Sequence, residues 1–245
     1  MKCYGDSKMD FQIKEKYDIN DLLKIIEMLR DPENGCPWDK VQTHKTIRKN
    51  FIEETYEAIE AIDLDDKVLL QEELGDVLMQ VLLHSQFEAE ENVFDFSDVV
   101  NGTAQKLVLR HPHIFTDFEN KTVDGVLQKW EEIKKEEKGQ KTVSETLDAV
   151  PKSFPALMYA QKLQKRAKAG GLINPHTDEI INMLSDEINN INSKVKNGAD
   201  VSSEIGDLLF DCVALAAATK NDAEEVLGLK CAEMLEKYKK LEDKR

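Results

Sequence analysis

Two short acidic segments on either side of a predicted turn constrain the fold of this chain more than any other feature. Apolar residues recur at helical spacing before and after the turn, which predicts two helices. They are Ile52, Tyr56, Ile59 and Ile62 in the first helix, and Leu70, Leu74, Val77, Leu78 and Val81 in the second. The residues Asp63-Leu64-Asp65-Asp66 between them suit a tight connection, so we expect an antiparallel helical hairpin.

This hairpin is expected to bring four carboxylates together. With Asp65 as its centre, Glu57 lies eight residues before and Glu73 eight after, while Glu54 and Asp76 each lie eleven away. Residues three apart share a helix face, so each helix contributes a pair. Acids this close repel one another unless they are protonated or neutralised by a cation. Carboxylate oxygens suit hard divalent ions, so the pattern predicts a site for Mg²⁺, with Mn²⁺ as the alternative.

A solvated acidic surface is the competing interpretation, because the chain has 48 Asp and Glu residues. It explains the four acids less well, since Glu54 and Glu73 border the apolar stripes instead of lying opposite them. Iron is disfavoured, because di-iron bundles use a Glu-x-x-His pair and no His follows Glu54 or Glu73 at that spacing.

The composition indicates a mostly helical protein that is able to bury a core. The chain has 245 residues, 41% of them hydrophobic, and a formal net charge of −15. This charge argues against nucleic acid as a partner, whereas small anions remain possible where metal ions and local cations bridge them. We see no apolar run long enough for a membrane span or a signal peptide. Cys3, Cys36, Cys212 and Cys231 have no zinc-binding spacing, so reduced thiols in the cytoplasm are expected.

Cations and aromatic residues outside the hairpin are candidates for binding a phosphorylated ligand. Lys106 and Arg110 recur one helical turn apart, as a phosphate clamp or as a solvated basic edge. Lys134 follows Trp130 by one turn, either to hold a base and a phosphate or only to pack beside it. Trp38 either stacks on a base or, more simply, plugs the end of the bundle. We expect His84 to be a polar residue of the core or its edge.

The second half of the chain repeats this layout with a depleted site. About a centre at Asn197, Glu187 and Asp207 each lie ten residues away, and Asn190 and Glu204 seven. Asn190 therefore stands where a carboxylate is expected. The sequence predicts a first domain over 18–138, a linker over 139–146 and a second domain with a degenerate site over 147–245.

Five stretches together resemble the MazG-type all-α nucleoside triphosphate pyrophosphohydrolases. They are Gly35-Cys36-Pro37-Trp38-Asp39 with Gln42-Thr43-His44, Glu53-Glu54-x-x-Glu57, Glu73-x-x-Asp76, Lys106-x-x-x-Arg110-His111-Pro112-His113, and Trp130-x-x-x-Lys134. The resemblance covers nearly the whole chain after about residue 18. It implies Mg²⁺-dependent hydrolysis of ribo- or deoxynucleoside triphosphates between the α and β phosphates, and a helical bundle completed by dimerisation.

The resemblance also implies a role for each matching residue. The metal ligands would be Glu54, Glu57, Glu73 and Asp76, and Glu53 would support them or orient the attacking water. Phosphate oxygens would be bound by Lys106, Arg110 and Lys134, and the nucleoside by Trp130, with Trp38 as a further candidate.

Some relatives rely on the second repeat, but here it lacks the third Glu and carries Met234 and Tyr238 in place of the clamp. We therefore expect activity in the first half alone. A helical module that binds a nucleotide without turning it over is the alternative.

Overall fold

The computed structural model describes residues 11–116, 122–137 and 139–242. Over these ranges all regular structure is helical, which confirms the predicted all-α fold. The helices are α1 Ile19–Arg30, α2 Arg48–Asp63, α3 Lys67–Glu90, α4 Phe96–Arg110, α5 Pro112–Phe115, α6 Val123–Glu137, α7 Val143–Asp148, α8 Ala156–Ala169, α9 Thr177–Lys196, α10 Ser202–Ala218 and α11 Ala223–Glu242. Among the described helices, none has the length and apolar character needed to cross a membrane.

The helices group into two compact units, Met1–Asn120 and Lys121–Arg245. Helix α6 falls in the second unit, whereas the sequence places it at the end of the first domain. The domain bounds 18–138 and 147–245 stay a prediction, and Lys138, residues 243–245 and Cys3 lie outside the described residues. The described cysteines Cys36, Cys212 and Cys231 are free thiols.

The core of the first unit lies at the carboxyl-terminal half of α3. Side chains from α1, from the segment before α2 and from α3 meet there out of solvent. They are Ile26, Ile47, Leu82, Leu83 and Phe87. The start of α1 is fixed by a capping box, in which Asp18 accepts from the Asp21 amide and Asp21 accepts from the Asp18 amide. The core therefore holds one end of α3, and the acidic residues lie toward its other end.

Helices α2 and α3 form the predicted hairpin, but its apolar stripe is not buried as expected. The small residues Ala58 and Ala61 are buried in α2 and allow the two helices to pack closely. Ile52, Tyr56, Ile59 and Ile62 are each about half exposed, at 53%, 52%, 45% and 59%. A two-helix hairpin covers only the facing side of each helix, so large side chains beside that contact stay open to solvent.

The second unit is built around α10, which packs on α8, α9 and α11. Helices α9 and α10 form the second predicted hairpin, with Gly198 at a φ of +68° in its turn. Val213 is buried, whereas the apolar side chains of Ile188 and Leu209 are more than half exposed. The second hairpin therefore leaves part of its apolar surface uncovered, as the first one does.

Candidate metal site

The turn of the first hairpin sets the register between the acids of α2 and α3. Asp65 adopts a φ of +53°, a left-handed conformation that Asp tolerates better than most residues. Asp66 then caps α3 by accepting from the amides of Val68 and Leu69. The hydrogen bond from the Asp66 amide to the Ala61 carbonyl closes the connection. With the turn fixed in this way, residues equidistant from Asp65 face one another.

Three of the four predicted ligands meet at this register. One carboxylate oxygen from each of Glu54, Glu57 and Glu73 lies within 4.8 Å of the other two. Glu73 is buried at 8% exposure, Glu54 is half-buried and Glu57 is exposed. The cluster thus extends from the interior of the hairpin to its surface, which leaves one side open to a ligand.

Burial and charge repulsion raise the pKa values of two members of the cluster, Glu54 and Glu73. Burial, followed by the charges of Glu57, Asp76 and Glu72, raises the pKa of the Glu73 carboxyl. Burial and the neighbouring carboxylates, with Asp76 foremost, also raise the pKa of Glu54. The charges that contribute to both shifts belong to neighbouring carboxylates. A bound cation would relieve this repulsion.

Asp76 and Glu53 lie at the edge of the cluster. Asp76 is half-buried on α3 and is outside the close group of three, but its charge acts on both Glu54 and Glu73. Glu53 is exposed on α2 and acts on Glu54 from the neighbouring position. The structure therefore brings all five predicted acids to one region, with Glu73 as its buried member.

The donor set fits a hard divalent cation. The three closest groups are all carboxylates, and oxygen-only ligands are the preference of Mg²⁺, Mn²⁺ and Ca²⁺, whereas Zn²⁺ favours nitrogen and sulfur. Glu54, Glu57, Glu73 and Asp76 are the residues that would hold the ion. When bound, it would neutralise part of the charge of a polyphosphate and lower the pKa of a bound water.

The predicted cations lie on other helices. Lys106 is exposed and Arg110 half-buried, one turn apart on α4. Trp130 and Lys134 lie on α6 of the second unit, where the Lys134 ammonium is 4.6 Å from the centre of the Trp130 ring. This cation–π contact is a local pair within one helix. Convergence of these four residues on the acidic cluster stays a prediction.

Trp38 does not plug the end of the bundle. Its side chain is 57% exposed, on the segment that precedes α2. Its backbone carbonyl accepts a hydrogen bond of 2.9 Å from the Gln42 side chain, which holds the local turn. The structural interpretation of Trp38 was therefore wrong, and its indole is open to a ligand.

The second hairpin pairs its buried acid Glu204 with a lysine. Glu204 is 8% exposed, as Glu73 is, and it forms an ion pair with the Lys194 ammonium. That hydrogen bond and charge lower the pKa of Glu204. Lys194 was not singled out in the sequence, although it lies four residues after Asn190, where a carboxylate is missing. A lysine side chain therefore supplies the positive charge in this hairpin.

Two further polar contacts of the first unit were missed in the sequence. His44 lies 2.6 Å from His84, Nδ1 to Nδ1, and its Nε2 lies 2.8 Å from a Glu88 carboxylate oxygen. The Arg30 guanidinium makes a bidentate pair with Glu90 at 2.6 and 2.7 Å. These partners are 40 to 60 residues apart, so no local spacing could have revealed them.

Comparisons with known proteins agree on one family. The MazG nucleotide pyrophosphohydrolase domain matches residues 42–115, the segment that carries the acidic hairpin. The nucleoside triphosphate pyrophosphohydrolase of Escherichia coli K12 is 43% identical over 213 residues, which is 85% of this chain and 81% of the relative.

Two Thermotoga maritima proteins also match. One, named nucleoside triphosphate pyrophosphohydrolase/pyrophosphatase MazG, is 36% identical over 91% of this chain and 85% of the relative. The other is a MazG-related protein whose crystal structure matches with a TM-score of 0.39 at 25% identity, over 46% of this chain and 97% of that one.

Proposed function

Because the chain belongs to the MazG nucleotide pyrophosphohydrolase family, we propose that it hydrolyses nucleoside triphosphates to a nucleoside monophosphate and pyrophosphate. The carboxylate cluster of Glu54, Glu57 and Glu73 carries this proposal, since it lies in the segment that matches the family and suits a divalent cation. Mg²⁺ is the proposed ion, with Mn²⁺ as a substitute.

In the proposed reaction, water attacks the α phosphorus. The bond from this phosphorus to the α–β bridging oxygen breaks, and the bridging oxygen leaves with pyrophosphate. Glu54, Glu57, Glu73 and Asp76 would hold the cation, and Glu53 would orient the attacking water and accept its proton. Lys106, Arg110 and Lys134 bind phosphate oxygens, and Trp130 and Trp38 contact the nucleoside. A polyphosphate requires this combination of charge neutralisation and water alignment.

The first hairpin is the proposed site of the reaction, and the second is a scaffold. The contrast between their acids supports this division. In the first, burial and neighbouring carboxylates raise the pKa values of Glu54 and Glu73, whereas in the second Lys194 neutralises Glu204. A built-in ammonium leaves the second hairpin little need for a metal ion.

We also propose that the enzyme is a homodimer that covers the apolar side of its hairpins. Ile52, Tyr56, Ile59 and Ile62 recur on one helix and are about half exposed in the single chain. A contiguous apolar stripe of this kind is characteristic of an interaction surface. A second copy of the same hairpin would complete a four-helix arrangement.

The experiment that tests the function is release of pyrophosphate from a panel of ribo- and deoxynucleoside triphosphates with Mg²⁺. Wild type is compared with Glu57→Gln in the first hairpin and with Glu204→Gln in the second hairpin as a control. We expect wild type and Glu204→Gln to form monophosphate and pyrophosphate, and Glu57→Gln to be inactive while folded. Equal loss in both variants would overturn the assignment to the first hairpin. No product from any nucleotide with wild type would favour a binding module instead.

A further inference from the structure

Two histidines and a glutamate form a hydrogen-bonded chain that the proposed reaction does not use. His44 precedes α2, whereas His84 and Glu88 lie one turn apart on α3. The two imidazole planes differ by 9°, their centres are 4.9 Å apart and their Nδ1 atoms 2.6 Å apart. The distance between the ring centres equals the Nδ1–Nδ1 distance plus one ring radius at each end. The two rings therefore lie end to end in nearly the same plane. This geometry is that of a direct N–H···N hydrogen bond.

With a neutral His44, the chain of contacts assigns a position to each ring proton. A carboxylate accepts hydrogen bonds, so the His44 Nε2 at 2.8 Å from Glu88 carries a hydrogen. In the neutral imidazole the His44 Nδ1 is then the acceptor, and the His84 Nδ1 is the donor. Burial is the main cause that lowers the pKa of His84, which favours its neutral form. The remaining nitrogen, His84 Nε2, therefore presents a lone pair.

No described residue donates a hydrogen bond to His84 Nε2. The His84 ring is partly exposed, and the Phe51 ring lies 5.7 Å from it at a tilt of 58°. An aromatic ring beside an oriented acceptor is the combination that small-molecule sites use, an apolar surface with a few fixed polar groups.

His84 lies on the same side of α3 as the buried acid of the metal site. At 100° per residue, Glu73, Gln80 and His84 fall within about 40° of one another around the helix. Glu73 and His84 are separated by three turns, roughly 16 Å along the axis, which is comparable with an extended nucleoside triphosphate. Between them Gln80 is 3% exposed, and its Oε1 has no hydrogen-bond partner among the described residues. The carboxylates and the imidazole therefore lie on one side of α3, with the buried Gln80 between them.

We propose that His84 Nε2 accepts a hydrogen bond from the nucleoside part of the substrate, from an amino or hydroxyl group, while the carboxylate cluster holds the phosphates. His44 and Glu88 are positioning residues that fix the His84 tautomer and ring orientation. Phe51 supplies the adjacent apolar surface. This inference rests on the proposed function for its substrate class. It adds His84 as the residue that recognises the nucleoside part of the substrate.

The test separates nucleoside recognition from phosphate binding. His84→Phe keeps a planar ring without the acceptor, and His84→Gln restores an acceptor near the Nε2 position. We expect His84→Phe to raise KM for nucleoside triphosphates roughly five- to tenfold, with kcat less affected and with partial recovery in His84→Gln. The inhibition constant of tripolyphosphate, which has no nucleoside, should stay at the wild-type value. His176→Phe, an exposed histidine of the second unit, is the matched control.

A second readout does not depend on turnover. In ¹⁵N-histidine spectra of wild type with Mg²⁺, the His84 Nε2 resonance should shift on addition of an α,β-methylene nucleoside triphosphate and not with tripolyphosphate. That shift, together with no pyrophosphate release from any natural nucleoside triphosphate, would leave the inference intact and reject the proposed hydrolysis. Hydrolysis with an unchanged KM in His84→Phe and no shift of the resonance would overturn the inference and leave the hydrolysis standing.

Discussion

Glu73 and Glu204 occupy matching places in the two hairpins and are both 8% exposed, yet their pKa values shift in opposite directions. Glu73 lies among carboxylates, and Glu204 is paired with Lys194. The two hairpins therefore balance the same buried charge in different ways, one by leaving room for a cation and the other with a side chain.

Neutralising each glutamate should have opposite effects on stability. Without divalent cations, Glu73→Gln removes a repelled charge, so we expect an unchanged or higher unfolding temperature. Glu204→Gln leaves Lys194 without its anionic partner, so a fall of a few degrees is expected. Thermal unfolding in a chelator measures both, and destabilisation by Glu73→Gln alone would contradict this account.

Divalent cations should stabilise the first hairpin. A ligand that binds only the folded state adds about 2.7 kcal/mol at 100 times its dissociation constant. We therefore expect Mg²⁺ or Mn²⁺ to raise the unfolding temperature of wild type and of Glu204→Gln, with little effect on Glu73→Gln. Calorimetric scans over a cation titration would show this, and an equal response of all three proteins would place the ion elsewhere.

The Arg30–Glu90 pair should make stability fall in acid. Burial alone would raise the Glu90 pKa, but hydrogen bonds from Arg30 and Gln86 outweigh it and hold the pKa below the ordinary 4.5. A carboxyl group with a depressed folded pKa adds stability that is present above its unfolded pKa and is lost as pH falls through the folded one. The loss should begin below about pH 4.5, because that is near the unfolded pKa of Glu.

Arg30→Met tests the contribution of the Arg30–Glu90 pair directly. Arg30 is 9% exposed, lies 4.2 Å from the Phe87 ring and donates to the carbonyls of Asp39 and Gln42. Breaking a fully buried pair costs about 3–5 kcal/mol, and the partial exposure of Glu90 reduces this to about 2–3 kcal/mol. Urea unfolding at pH 7 and pH 4 measures the change, and Arg30→Met should weaken the acid dependence. An unaltered pH profile would assign that dependence to other carboxyl groups.

Introducing charge into the apolar stripe should prevent dimerisation. We expect Ile59→Lys to sediment as a monomer and wild type as a dimer, because a lysine at an interface loses hydration without gaining a partner. Ile13→Lys is a suitable control, since Ile13 is 81% exposed and outside the hairpin. Analytical ultracentrifugation decides the matter, and a monomeric wild type would reject the proposed dimer.

The hairpin and its acids could be predicted from the sequence because both depend on local geometry. Helical periodicity located α2 and α3, and equal distances from Asp65 paired Glu57 with Glu73. The exposure of Ile59 could not be predicted in this way, since helical periodicity identifies the apolar side of a helix but not what covers that side.

Contacts between distant residues were beyond the same reasoning. The His44–His84 and Arg30–Glu90 pairs join positions 40 and 60 residues apart, so they follow from tertiary packing. Lys194 was overlooked for a different reason. It occupies an ordinary helical position, and its role becomes visible only when Glu204 is found beside it.

In the Lys194–Glu204 pair, the counter-ion of the buried acid is a side chain of the protein itself. The buried acid of the second hairpin is neutralised without any dissolved ion, whereas the first hairpin, with the metal site proposed above, would recruit a cation from the medium. A shortage of divalent cations would therefore loosen one half of the protein and leave the other intact. The two hairpins would then respond differently to the same change in divalent cation concentration.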